Sequence, residues 1–120
     1  MTALTDNAIT KLSTTVAVNM KTAAATLLYT VPAGKSLIID HVVVRSNSAS
    51  LAGGTSYSVT NFRLTFDLSG MTTTTGFRKI FATDNTTYVI SVAATAINWT
   101  VTTGATAAGT ATIELYGTLY

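Results

Sequence analysis

The sequence predicts an all-β protein: a single antiparallel β-sandwich of seven or eight strands, with jelly-roll order as one available arrangement. Three observations predict it. Short runs of alternating apolar and polar residues recur at regular spacing, with turn residues between them. No stretch carries an amphipathic helical pattern longer than about two turns. The 26 threonines favour strands and keep a surface wet without charge. At 120 residues the chain fits one domain, large enough to bury a core without metal or disulfide.

Residues 1–10 carry weak signals and read as a candidate N-terminal arm, leaving 11–120 as the sandwich domain. Leu12, Thr14, Val16 and Val18 alternate on one face of a first strand. Met20 to Ala25 reads as a turn or one helical turn. Leu27, Tyr29 and Val31 alternate again. Pro32-Ala33-Gly34 suits a tight turn, because proline presets φ and glycine closes it.

Leu37 to Arg45 is a long strand that is apolar on both faces, the pattern of a strand covered on both sides. Strict alternation puts Leu37, Ile39, His41 and Val43 on one face, and Ile38, Asp40, Val42 and Val44 on the other. Ser46 to Ser56, with Gly53-Gly54, is a loop by composition. Tyr57 to Leu68 reads as one half-buried strand, with Phe62, Leu64, Phe66 and Leu68 inward.

Ser69 to Gly76, with four consecutive threonines, is an exposed loop, and Phe77 to Phe81 a short or edge strand. Asp84-Asn85 marks a turn. Thr87 to Val92 and Ile97 to Thr102 are two more strands, the latter with Trp99 and Val101 on one face. Gly104 to Gly109 is a flexible connection. The last strand places Ala111, Ile113, Leu115 and Leu119 opposite Thr112, Glu114, Tyr116 and Tyr120.

Chemistry is sparse. With no cysteine and one histidine, neither a disulfide framework nor a zinc site is expected. His41 and Asp40, adjacent in a regular strand, point to opposite faces and do not converge as a Ser-His-Asp site requires. The acids Asp6, Asp40, Asp67, Asp84 and Glu114 show no spacing that pairs an acid with a base. Gly53-Gly54 lacks the strand–helix setting of a phosphate loop. No catalytic, cofactor-binding or metal residue is assigned, and an enzyme is not expected. The seven basic residues are scattered, with only Arg78-Lys79 adjacent, so nucleic-acid binding is not expected either. No apolar run reaches the roughly 20 residues of a membrane helix. The start, Met1-Thr2-Ala3-Leu4-Thr5-Asp6, shows no leader-like apolar block. Trp99 with Tyr57, Tyr88, Tyr116 and Tyr120 reads as core or interface, with a sugar platform as the alternative.

What remains is assembly. Charged residues are 10% of the chain, against about 25% in ordinary domains. Apolar strands without charged neighbours are an aggregation liability unless a partner covers them. Tyr29-Thr30-Val31-Pro32-Ala33-Gly34-Lys35, then Leu37 to Val44, then Ser46-Asn47-Ser48, resembles a pattern in small virion structural proteins of tailed bacteriophages. The closing strand Ala111-Thr112-Ile113-Glu114-Leu115-Tyr116-Gly117 is similar to how such sandwiches end. The resemblance covers about a quarter of the chain and carries no catalytic residues.

It implies a head decoration (cement) protein, or a tail or fibre component, located in the virion and assembled in the host cytoplasm. The leading expectation is a decoration protein, a dimer or trimer bridging neighbouring major capsid proteins. The alternative is a tail or fibre module that binds host-surface glycans. The candidate subunit contacts are Leu37, Ile39, His41, Val43, Tyr116, Leu119 and Tyr120.

Overall fold

In a computed structural model that describes residues 9–62, 64–81 and 90–120, the described residues form two packed antiparallel sheets and no helix. The strands are β1 (Thr10–Asn19), β2 (Ala25–Thr30), β3 (Leu37–Arg45), β4 (Ser56–Val59), β5 (Thr65–Phe66), β6 (Phe77–Phe81), β7 (Ile90–Ser91), β8 (Ala96–Thr103) and β9 (Thr110–Leu119). One sheet runs β1-β9-β3-β6, and the other β2-β8-β4-β5. The two-residue β7 pairs with Leu37 and Ile38 of β3, while β6 pairs with His41 to Arg45. Because β9 takes the other flank of β3, β6 and β7 share one edge position. Each layer therefore has four strand positions, eight in all, within the seven or eight expected.

Pairing nests first with last: β1 with β9, β2 with β8, β3 with β6, β4 with β5, all antiparallel. The cross-links β3–β9 and β4–β8 complete each sheet. This nesting is the jelly-roll order, a double Greek key that folds a long hairpin over itself.

Local chemistry places the turns. Asn19 ends β1, its Oδ1 accepting from the N–H groups of Lys21 and Thr22 at 2.9 Å each. That makes Met20 to Ala24 a side-chain-capped turn rather than a helical one. The Lys35 N–H donates to the Pro32 carbonyl at 3.2 Å, with Gly34 at φ 73°, the third-position geometry of a type II turn. The expected single strand from Tyr57 to Leu68 is instead two. Asn61 adopts φ 62°, and the Phe62 N–H closes on the Val59 carbonyl at 3.0 Å. Asparagine tolerates this left-handed conformation, so the run reverses there. Phe62, Phe66 and Leu68 are still buried, as their spacing predicted.

The core lies between the sheets. Trp99, Tyr57, Leu37, Ile97, Ile113 and Leu115 are fully buried in it. Tyr57 stacks on Trp99 at 5.5 Å between ring centroids, and Phe62 meets Phe66 edge-on at 5.2 Å. The Tyr57 hydroxyl donates to the Met20 carbonyl at 2.7 Å, anchoring the β1–β2 turn. Burial pushes its phenol above the usual value, against a lowering backbone hydrogen bond from Ala105.

Three irregularities overturn strict alternation. In β1 the register shifts between Thr15 and Val18, with Ala17 at φ 55°. Val18 stays in the core while Val16 turns out, 69% exposed. In β2 a shift across Leu28 buries that residue and exposes Leu27, where alternation pointed the other way. In β3 Ile39 pairs with Gly117 and His41 with Tyr116, so Asp40 is an extra residue against β9. This bulge switches parity. The core takes Leu37 and Ile39 before it and Val42 and Val44 after it. His41 and Val43 therefore lie on the outer face, not with Leu37 and Ile39. Gly117 stands opposite the bulge, where a Cβ would run into the Ile38 carbonyl oxygen.

Candidate assembly surfaces

The outer face of the β1-β9-β3-β6 sheet is a grid set by register. Tyr116 of β9 faces Lys11 of β1 on one side and His41 of β3 on the other, and His41 faces Phe81 of β6. Further along, Glu114, Val43 and Lys79 stand side by side, then Thr112, Arg45 and Phe77. His41 stacks on Tyr116 at 4.3 Å and 14° and lies 5.3 Å from the Phe81 ring. Its Nδ1 is 2.6 Å from Asp40 Oδ2. The two side chains were expected on opposite faces. The bulge at Asp40 breaks the alternation that would have separated them.

Glu114 is the buried charge of this face, 6% exposed. Its Oε2 accepts from Lys11 Nζ and from Arg45 Nη2, each at 3.4 Å. Desolvation pushes its pKa up, but hydrogen bonds from Arg45 and Lys11 and their positive charges outweigh it. The carboxyl is held below its ordinary value. Lys79 lies over the Phe81 ring at 5.0 Å, a cation–π contact. Phe77 and Phe81 are 66% and 52% exposed. The apolar second face of β3 is thus closed in part by its own sheet: His41 by Tyr116 and Phe81, Val43 by Glu114 and Lys79.

The opposite sheet is chemically different. Its strands β2, β4, β5 and β8 contain no charged residue. With Leu28, Ile97, Trp99, Val101, Tyr57 and Phe66 turned to the core, the outer face presents Leu27, Asn98, Thr100, Ser58 and Thr65. Leu27, 55% exposed, is its apolar point.

The loops at one end of the sandwich are pinned by main-chain bonds. Thr106 N–H donates to Ala52 O, Leu51 N–H to Met71 O and Met20 N–H to Gly109 O, at 2.9–3.0 Å. Asn47, 1% exposed, ties two of these loops together. Its Nδ2 donates to Ala49 O and Thr73 O, and its Oδ1 accepts from Gly76 N–H, all at 2.8 Å. Ser69 to Gly76 is an exposed loop, as expected, while Gly104 to Gly109, expected to be a flexible connection, is tied to Met20 and Ala52 by main-chain bonds.

The seven candidate contacts separate. Leu37 and Ile39 are consumed by the core. Leu119 packs against that core, partly buried. His41, Val43 and Tyr116 do come together, on the outer face. Tyr120 is 48% exposed beyond β9, its backbone paired both ways with Ser36 at 2.8 and 3.0 Å. Phe77, Phe81 and Leu27 were missed as surface residues. The alternation of Phe77, Lys79 and Phe81 was legible, but which face they occupy depends on register with β3. Trp99 and Tyr57 are core residues, so neither belongs to a sugar platform. Met1 to Ala8, Arg63 and residues 82–89, with Tyr88 and the Asp84-Asn85 turn, lie outside the described residues, as does most of the expected arm. Among the described residues no three His, Asp or Glu side chains group as a metal site would need. Comparison with family models, with curated proteins and with solved structures finds no match to this chain.

Proposed function

We propose that this chain is a non-enzymatic virion structural protein, a decoration or cement protein that self-associates and docks on a capsid to bridge neighbouring major capsid subunits. The observation that carries the reading is the segregation of charge. Lys11, Asp40, Arg45, Arg78, Lys79 and Glu114 are on the strands of one sheet, and the described strands of the other carry no charge at all. The centres of protein interfaces are depleted of Lys, Glu and Asp, which are costly to desolvate. A flat face of threonine, serine and asparagine around Leu27 can dock by shape and hydrogen bonding. The resemblance of the Tyr29 to Ser48 segment to tailed-phage virion proteins supplies the setting. The glycan-binding alternative gains nothing from Trp99 and Tyr57, which are buried.

Co-sedimentation with undecorated tailed-phage heads tests the reading. The expected result is saturable pelleting that persists to about 0.5 M salt, because the described strands of the docking face carry no charge to be screened. Thr100→Lys and Asn98→Lys should each weaken it at least tenfold by forcing desolvation of a charge. No pelleting at micromolar concentration would overturn the reading, and so would binding that collapses with salt.

A further inference from the structure

The four edge positions of the sandwich are not equally protected. β1 carries two register shifts against β9, β2 carries one against β8, and β5 is two residues long. Bulges, very short strands and charged side chains are the usual ways to blunt an edge. β6 has no bulge and runs five residues, so only Arg78 and Lys79 guard it. Its register with β3 runs unbroken from Phe77 to Phe81, and among the described residues it pairs with β3 alone.

Its free groups follow from the ladder. The Ser46 N–H donates to Gly76 O at 2.9 Å, in the same register that pairs Arg45 with Phe77. Hydrogen-bonded pairs alternate along an antiparallel ladder. Arg78 and Ile80 therefore spend their backbone groups on Val44 and Val42. Phe77, Lys79 and Phe81 direct theirs away from the sheet.

We propose that β6 pairs with β6 of a second copy, antiparallel, about a two-fold axis at Lys79. The sequence of β6, Phe-Arg-Lys-Ile-Phe, argues for a copy of this chain as the occupant. Under that axis each Phe77 stands opposite the partner's Phe81, and the reverse, on one face of the joined sheet. Cross-strand aromatic pairs are among the favourable ones. A single point then brings both exposed phenylalanines of each copy out of water. The result is one sheet of eight strand positions. Its unfavourable element is the Lys79 pair at the axis, since like charges directly opposite repel. Each ammonium is already drawn aside over its own Phe81 ring. The dimer is accordingly reversible, and salt strengthens it. This inference rests on the self-association half of the proposed function and not on the capsid.

The chain has no cysteine, so single substitutions report register directly. On the axis, facing residues have Cα atoms about 5.5 Å apart, within disulfide reach. Under mild oxidation at about 100 µM, Lys79→Cys should crosslink at least ten times faster than Phe77→Cys. A mixture of Phe77→Cys and Phe81→Cys should crosslink to each other faster than either alone. In sedimentation velocity Lys79→Thr should tighten the dimer about tenfold, and the Phe77→Thr/Phe81→Thr double variant should weaken it as much. All three positions of substitution, Phe77, Lys79 and Phe81, are solvent-facing, so an unchanged melting temperature confirms that each variant folds. Crosslinking at equal rates for all variants would overturn the pairing, as would a monomer that Lys79→Thr leaves monomeric. Loss of head binding with an intact dimer would instead contradict the capsid reading alone.

Discussion

Glu114 sits on the solvent side of its sheet yet is buried, because Lys11 and Arg45 reach over it from the flanking strands. Its worth is limited by those partners, whose side chains are 48% and 37% exposed and can turn to water. Glu114→Gln should therefore cost about 1 kcal/mol at pH 7, read from urea midpoints. The folded pKa is depressed, so the ionised form is the one favoured in the native state. Its contribution is complete above the unfolded carboxylate pKa of about 4.3 and is lost as pH falls through the lower folded value. The gap between wild type and Glu114→Gln should close in acid, with Asp67 common to both proteins. A gap that stays constant from pH 7 to pH 3 would show that the carboxylate's charge does not matter.

At the scale of elements, the sequence was readable wherever a strand keeps its period. β8 and β9 fell where alternation put them, and Trp99, Val101, Ala111, Ile113 and Leu115 are inward as their spacing said. Reading failed at the bulges. A bulge is a property of two strands, an extra residue on one against its partner, and no single run of residues records it. Asp40 is the clearest case, because Leu37 to Val44 is apolar at so many positions that either parity looks reasonable. The same blindness hid the turn at Asn61, where the apolar alternation continues across a reversal. The assembly surfaces were less legible still: the scattered cations Lys11, Arg45 and Lys79 share a face only once β1, β3 and β6 are placed in register.

The bulge makes a specific prediction. Deleting Asp40 keeps Leu37, Ile39, Val42 and Val44 inward, since the residue removed is the one that interrupts alternation. That variant should fold, losing about 1–2 kcal/mol with the His41 contact. Deleting Val43 leaves no register that keeps the core set together, because a one-residue slip turns each side chain to the other face. That variant should be unfolded at 25 °C. Circular dichroism melts of the two deletions decide it; equal damage from both would mean that Asp40 is not the extra residue.

At the scale of the whole molecule, the two sheets have different surfaces built on one core. One carries the strand charges, the Glu114 cluster and a bulge-free edge at β6. The other carries hydroxyls, amides and Leu27. Pinned loops hold the two layers in fixed relation at one end, through Asn47 and the bonds from Met20, Leu51 and Thr106. A protein so divided can pair with its own kind along one edge while a different partner takes the uncharged face. Electron cryomicroscopy of heads incubated with the purified chain tests this division most directly. The account predicts ordered sandwich density on the shell, with Leu27, Asn98 and Thr100 turned toward the capsid and β6 away from it, free to pair. Bare shells, or density docked through the Glu114 face, would contradict it.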